Sequence, residues 1–249
     1  MGGIKRRFTW TATLGMLAAL ALLFTGCQGD NQATASTTLA APSVSTSSTE
    51  STADTTTTAP PAEPDLGVLI KQMAAPYPDG DSRYVSSNPY DYTRDNPAFD
   101  AIVAMGYDAL PGLEADLTPG GLGNYLDCIA IEKITKCDLK QFARYTWGDA
   151  ISFRTQWNSY LKQMPSAVMT AFALSSYAPP KPIGLEKLGA PAVPYVIDQA
   201  KRTGVWNESE VVGTLQSLLL NARPAATIAE FAQFNATTIE KLRAYVENR

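Results

Sequence analysis

Thr25-Gly26-Cys27 places a thiol directly after two small residues, and two more thiols, Cys128 and Cys137, lie nine residues apart further on. A cysteine reacts as its thiolate, so each is a candidate nucleophile or lipid acceptor. The chain carries 24 acidic residues and no histidine. Without imidazole, Ser-His-Asp and Cys-His catalysis, His-ligated zinc and the usual general base near neutral pH are excluded. Glu114, Asp116 and Glu132 are candidates for carboxylate chemistry only in being acidic, because Glu and Asp on helices are normally solvated.

Other constellations fail on spacing. Ser159-Tyr-Leu-Lys162 has the Ser-x-x-Lys form but no companion Ser-x-Asn or Lys-Thr-Gly element. Asp79-Gly-Asp81, with Asp91 and Asp95 nearby, opens like a calcium loop, yet Arg83 and Tyr90 fall where oxygen ligands belong, so a solvated turn is expected. Gly120, Gly121 and Gly123 lack the Lys-Ser/Thr of a phosphate loop. No catalytic residue, metal ligand or cofactor is therefore predicted. On one continuous helix Cys128 and Cys137 would lie about 13 Å apart. A disulfide needs the helix to stop near Thr135 and the chain to fold back; buried thiols are the alternative. Tyr77, Tyr84, Tyr90 and Tyr92 crowd one loop, which is expected to pack against the first helical layer rather than form a sugar or peptide platform.

The surroundings of Cys27 are more specific. Lys5, Arg6 and Arg7 precede a stretch from Phe8 to Phe24 broken only by Thr and Gly, and no acidic residue occurs before Asp30. That is the layout of an export signal. Phe24-Thr25-Gly26-Cys27 resembles the bacterial lipobox, with Phe24 where the family usually has Leu. The resemblance implies cleavage ahead of Cys27, a diacylglyceryl thioether on that residue with further acylation such as palmitate, and a lipid anchor on the extracytoplasmic face of a membrane. It makes residues 1–26 a lipoprotein signal peptide and Cys27 the lipidation site.

Residues 27–64 differ in kind. They are rich in Ser and Thr, and no aromatic residue follows Phe24 until Tyr77, so the segment is expected to be a disordered linker. As a flexible coil it would reach about 30 to 35 Å. Loss of Lys5, Arg6 and Arg7 with the signal leaves 17 basic against 24 acidic residues, a formal charge of −7, which argues against nucleic acid as a partner.

The elements that must position the remaining residues read as helices throughout 65–249, with alternating strand patterns nearly absent. Asn96-Pro97 and Thr118-Pro119 are start signals, and Gly106 and Gly204 sit where helices end. Glu132 and Lys136 form an i,i+4 pair, and Asp149 opens a helix carrying Phe153, Trp157, Tyr160, Leu161 and Met164, with Pro165 marking a fresh start. Trp147, Phe153 and Trp157 read as core. Asn207 with Glu210, and Thr237 with Glu240, have capping-box spacing. Residues 102–113 also match 185–196 without a gap: Gly106 meets Gly189, Ala109 meets Ala192, Pro111 meets Pro194, and Leu110 and Leu113 meet Val193 and Val196. This Gly-x-x-Ala-(Leu/Val)-Pro-x-(Leu/Val) unit resembles the turn inside a HEAT-type repeat.

The resemblance implies an all-α fold, a short irregular HEAT-like αα-hairpin superhelix, whose curved surface binds proteins. The expected function is that of a non-enzymatic, membrane-anchored lipoprotein of the bacterial cell envelope that scaffolds or binds another envelope or extracellular protein. A small-ligand or solute-binding lipoprotein, or a carboxylate-dependent cell-wall enzyme, are the alternatives.

Overall fold

A computed structural model describes residues 65–76, 80–81, 86–118, 121–142 and 144–249, with only the main chain described at 121–123. The expected signal peptide, Cys27 and the expected linker lie outside them. Among the described residues the fold is all-α, with no strand. The α-helices are α1 (Leu66–Met73), α2 (Pro97–Met105), α3 (Leu110–Asp116), α4 (Gly121–Thr135), α5 (Ala150–Ala173), α6 (Val193–Thr203), α7 (Glu208–Leu218), α8 (Ile228–Phe234) and α9 (Ala236–Glu247). None of them is long and apolar enough to cross a membrane.

Local chemistry explains most of the boundaries. Asn96 caps α2 by accepting from Phe99 N at 3.1 Å, with Pro97 in the first turn. Asp149 and Ser152 form a reciprocal capping box at the start of α5, and Asn207 caps α7 through Glu210 N at 3.3 Å. The box expected at Thr237–Glu240 is absent. Thr227 accepts from Glu230 N and caps α8 instead, while Glu230 reaches back one residue further, to Ala226 N. Helix α5 also runs straight through Pro165 where a break was expected. The bulky residues Trp157, Tyr160, Leu161 and Met164 before the proline and Val168 and Phe172 after it are all buried. Their packing outweighs the roughly 3 kcal/mol a helical proline costs.

The repeated segments fold into congruent turns. Gly106 and Gly189 both take a left-handed φ, of 64° and 67°. Each opens a 3-10 turn, Gly106–Ala109 and Ala190–Ala192, followed by α3 or α6, and Ala109 and Ala192 share φ −76° and ψ −23°. Ala109, Leu110 and Leu113 are fully buried, as are Ala192, Val193 and Val196. What precedes the turns differs. The first follows the α-helix α2, whereas Leu185–Lys187 is a single 3-10 turn. Pro180, Pro182 and Gly184 leave no stretch in which an α-helix could start earlier.

One continuous core links the helices, from Leu69 and Ile102 through Ile131, Phe153 and Val196 to Leu215 and Leu242. Helix α9 packs on α5, α6 and both repeated turns. Its Lys241 holds Asp108 of the first turn at 2.6 Å, while Arg243 holds Asp198 of α6 at 2.8 Å. The chain's last helix thus ties the two turns together.

Candidate functional site

The three acidic candidates occupy very different surroundings. Glu114 lies on α3 beside the end of α9, with 13% of its side chain exposed and 15% of Arg249. Arg249 holds both carboxylate oxygens: Nη2 donates to Oε1 at 2.9 Å, and Nη1 bonds Oε2. Trp157 Nε1 donates to Oε1 at 3.0 Å, and Tyr245 donates its hydroxyl to the same atom. Burial and the Glu114 charge push the Tyr245 phenol upward. With three donors on Oε1 and one on Oε2, Glu114 acts as a clamp joining α3, α5 and α9. An open cleft of about 380 Å³, lined by Pro111, Ala115, Arg154, Ala244 and Asn248, adjoins it.

Glu132 does not pair with Lys136. The helix ends at Thr135, and Lys136 takes a φ of 51°, so the i,i+4 register is lost there. Lys136 Nζ instead donates to Ser217 O at 2.7 Å and Leu219 O at 3.0 Å, placing a cation on the carbonyl end of α7. Glu132 folds back to accept from Leu139 N at 2.9 Å, which pins the loop after α4. Burial pushes its carboxyl up to about 7, against the opposing effect of that backbone bond.

Asp116 ends α3 and faces Asp127 of α4, a residue the sequence did not single out. Asp127 is fully buried, and neither of its oxygens accepts a hydrogen bond from a donor. Burial, then the neighbouring Asp116, push its carboxyl up to about 8. The one available signal was that Leu126 through Ile131 is buried all round, so a charge in that run has no solvent face.

Cys128 and Cys137 are free and buried, although α4 does end at Thr135 as a bridge required. Burial raises the Cys137 thiol to about 12 and the Cys128 thiol further, so both are inert. Cys137 also packs where a Cβ on Gly189 would fall, at 2.7 Å. Tyr77, Tyr84 and Asp79 lie outside the described residues. Tyr92 turns inward to donate to Ser86 O at 2.9 Å, while Tyr90 stays exposed. Asp91 accepts from Ser86 and Arg94 within its own turn. Ser159 accepts from Gln163 at 3.0 Å. Trp147, Phe153 and Trp157 are core, with Phe153 and Trp157 stacked at 5.8 Å and 10°.

Four of the exposed large apolar residues sit on the connections that follow α5 and α6, while Val68, Ile151, Met169 and Phe234 are exposed on helices. Trp206 is 57% and Tyr177 51% exposed, and their rings lie 4.9 Å apart at 39°. Leu174 and Ile183 of the same α5–α6 connection are exposed as well. The loop is stitched in place: Trp206 N donates to Pro180 O at 2.8 Å, Lys181 N to Ser175 Oγ at 2.6 Å, and Lys181 pairs with Glu210. A large aromatic pair held rigidly on the surface is suited to binding, since little ordering entropy remains to be lost. The sequence pointed to the tyrosines near residue 90 only as a packed loop, and the Tyr-Ala-Pro-Pro-Lys-Pro run at 177–182, whose prolines stiffen this loop, was passed over.

No protein-family model, curated protein or solved structure matches the chain.

Proposed function

We propose that this chain is a bacterial lipoprotein, cut ahead of Cys27, lipidated there and held on the extracytoplasmic face of a membrane. Its HEAT-like helical domain binds another envelope protein rather than catalysing a reaction. The observation that carries the binding half is the rigid, exposed Tyr177–Trp206 pair with Leu174 and Ile183 on the adjoining loop. Apolar groups grouped in this way mark association surfaces, and Trp and Tyr are the residues that dominate interface energetics. The anchor half rests on Phe24-Thr25-Gly26-Cys27 behind a basic and apolar leader. The engagement of Glu114 by Arg249, Trp157 and Tyr245 gives that carboxylate a structural task and weighs against a carboxylate-dependent wall enzyme.

A photo-crosslinking amino acid at position 206, expressed in the native host, tests the reading. The expected result is one discrete adduct with an envelope protein, lost on Tyr177→Ala and absent when the probe replaces Glu240. Equal labelling from both positions, or none from 206, contradicts it.

A further inference from the structure

The cleft beside Glu114 carries a guanidinium that the fold does not use. Its volume of about 380 Å³ lies at the lower end of the roughly 300 to 1,000 Å³ common for ligand pockets. One wall is already fixed by Arg249. Its Nη1 and Nη2 hold Glu114, Nη1 also meets Asn158 Oδ1 at 3.3 Å, and Nε donates to Tyr245 O at 2.9 Å. The same guanidinium lies 4.3 Å from the centroid of the Tyr245 ring. Its charge is matched by Glu114, so it has little left to offer a ligand.

Arg154 differs. It lines the same cleft from α5, is exposed, and forms no hydrogen bond or ion pair with any described residue. Its helical neighbours three and four residues away are Ala150, Ile151, Trp157 and Asn158, so no acid stands within reach on its own helix. It also lies just inside the N-terminal end of α5, the end at which the helix dipole disfavours a cation. Neither helix pairing nor the dipole accounts for an arginine at this position. The side chains lining the cleft sum to one positive charge, two guanidinium ions against one carboxylate.

We propose that the cleft binds a small monocarboxylate with a short apolar body, its carboxylate held by Arg154. A planar guanidinium with its N–H groups free matches a carboxylate in a forked pair. One uncompensated cation suits a monoanion, whereas a phosphate dianion would leave a charge unmatched. Pro111, Ala115 and Ala244 supply an apolar wall for the body of the ligand. The carboxylate belongs either to a free acid or to the C-terminal residue of a peptide, since both present the same group. Along α5, Arg154 stands about 30 Å from Leu174 of the aromatic face. The cleft is thus a second binding surface, independent of that face and of the lipid anchor.

The full chain, purified in detergent, is titrated by calorimetry with isovalerate and with acetyl-alanyl-leucine, each beside its uncharged carboxamide. Saturable binding of at least one acid is expected, with its carboxamide at least tenfold weaker. Arg154→Gln is expected to weaken that acid at least tenfold and Arg154→Lys by less, with the unfolding midpoint unchanged in both because no described contact is lost. Ala244→Leu fills the cleft and is expected to abolish binding although Arg154 remains. Tighter binding of isovalerate identifies a free acid as the ligand, and tighter binding of the dipeptide a peptide terminus. Three results overturn the proposal: no saturable binding of either acid at tens of millimolar, equal binding of acid and carboxamide, or wild-type affinity in Arg154→Gln or Ala244→Leu.

Discussion

Glu114 and Asp127 are both acids withdrawn from solvent, one on each helix of the α3–α4 hairpin, and their surroundings are opposite. Glu114 meets a bidentate guanidinium, an indole N–H and a phenol. Asp127 meets another carboxylate and no donor. The first arrangement is a satisfied buried pair, which holds elements together and is costly to break from one side. The second is a carboxyl with no cation beside it, which the fold tolerates by keeping its proton. Burial alone therefore says little about a carboxyl; its donors decide whether it braces the fold as an anion or keeps its proton.

Breaking the satisfied side gives the largest effect. Glu114→Ala leaves Arg249 unpaired and frees Trp157 and Tyr245, and the expected loss is about 3 to 5 kcal/mol in urea unfolding. Arg249→Ala should cost a comparable amount, and the double variant should lose much less than the sum, because the partners belong to one network. An additive result would mean that the clamp is not a unit.

Removing the unsatisfied charge should have the opposite sign. Asp127→Asn is expected to gain about 2 kcal/mol at pH 8, since a neutral amide replaces a carboxylate without donors. A loss of stability there would show that Asp127 has a partner in solution.

The pH dependence sharpens the contrast. The Asp127 carboxyl lies near 8 in the folded chain, above its ordinary 3.8. The folded state then holds the extra proton between those values, so this contribution is complete below about pH 4 and is lost as pH rises towards 8. Glu132, near 7, adds a smaller fall of the same sign. Urea midpoints of the protein from pH 4 to 8 should decline, and Asp127→Asn should flatten most of that slope. The smallest effect belongs to the aromatic face: Tyr177→Ala should shift stability by less than about 0.5 kcal/mol while removing the adduct formed by the probe at 206.

How far the sequence foretold this molecule follows from the range of each force. Caps at Asn96, Asp149 and Asn207 and the glycine turns at 106 and 189 depend on a few adjacent residues, and all were legible. The passage of α5 through Pro165 was hidden, because the packing that compensates comes from residues far apart in the chain. Lys136 is similar: its receiver carbonyls, Ser217 and Leu219, lie some eighty residues away. The Glu114 clamp closes only when α9 brings Tyr245 and Arg249 back to α3, so its acid could be named but not its role. Asp127 was missed because its one signal, a single charge inside the buried run from Leu126 to Ile131, is not one that helical periodicity weighs.

The intact mass of the chain extracted from native-host membranes tests the central claim most directly. The account predicts a species beginning at Cys27 and carrying a diacylglyceryl mass, which disappears in Cys27→Ser together with detergent-phase partitioning. An unmodified chain that keeps residues 1–26, with the variant still in the membrane, would contradict it.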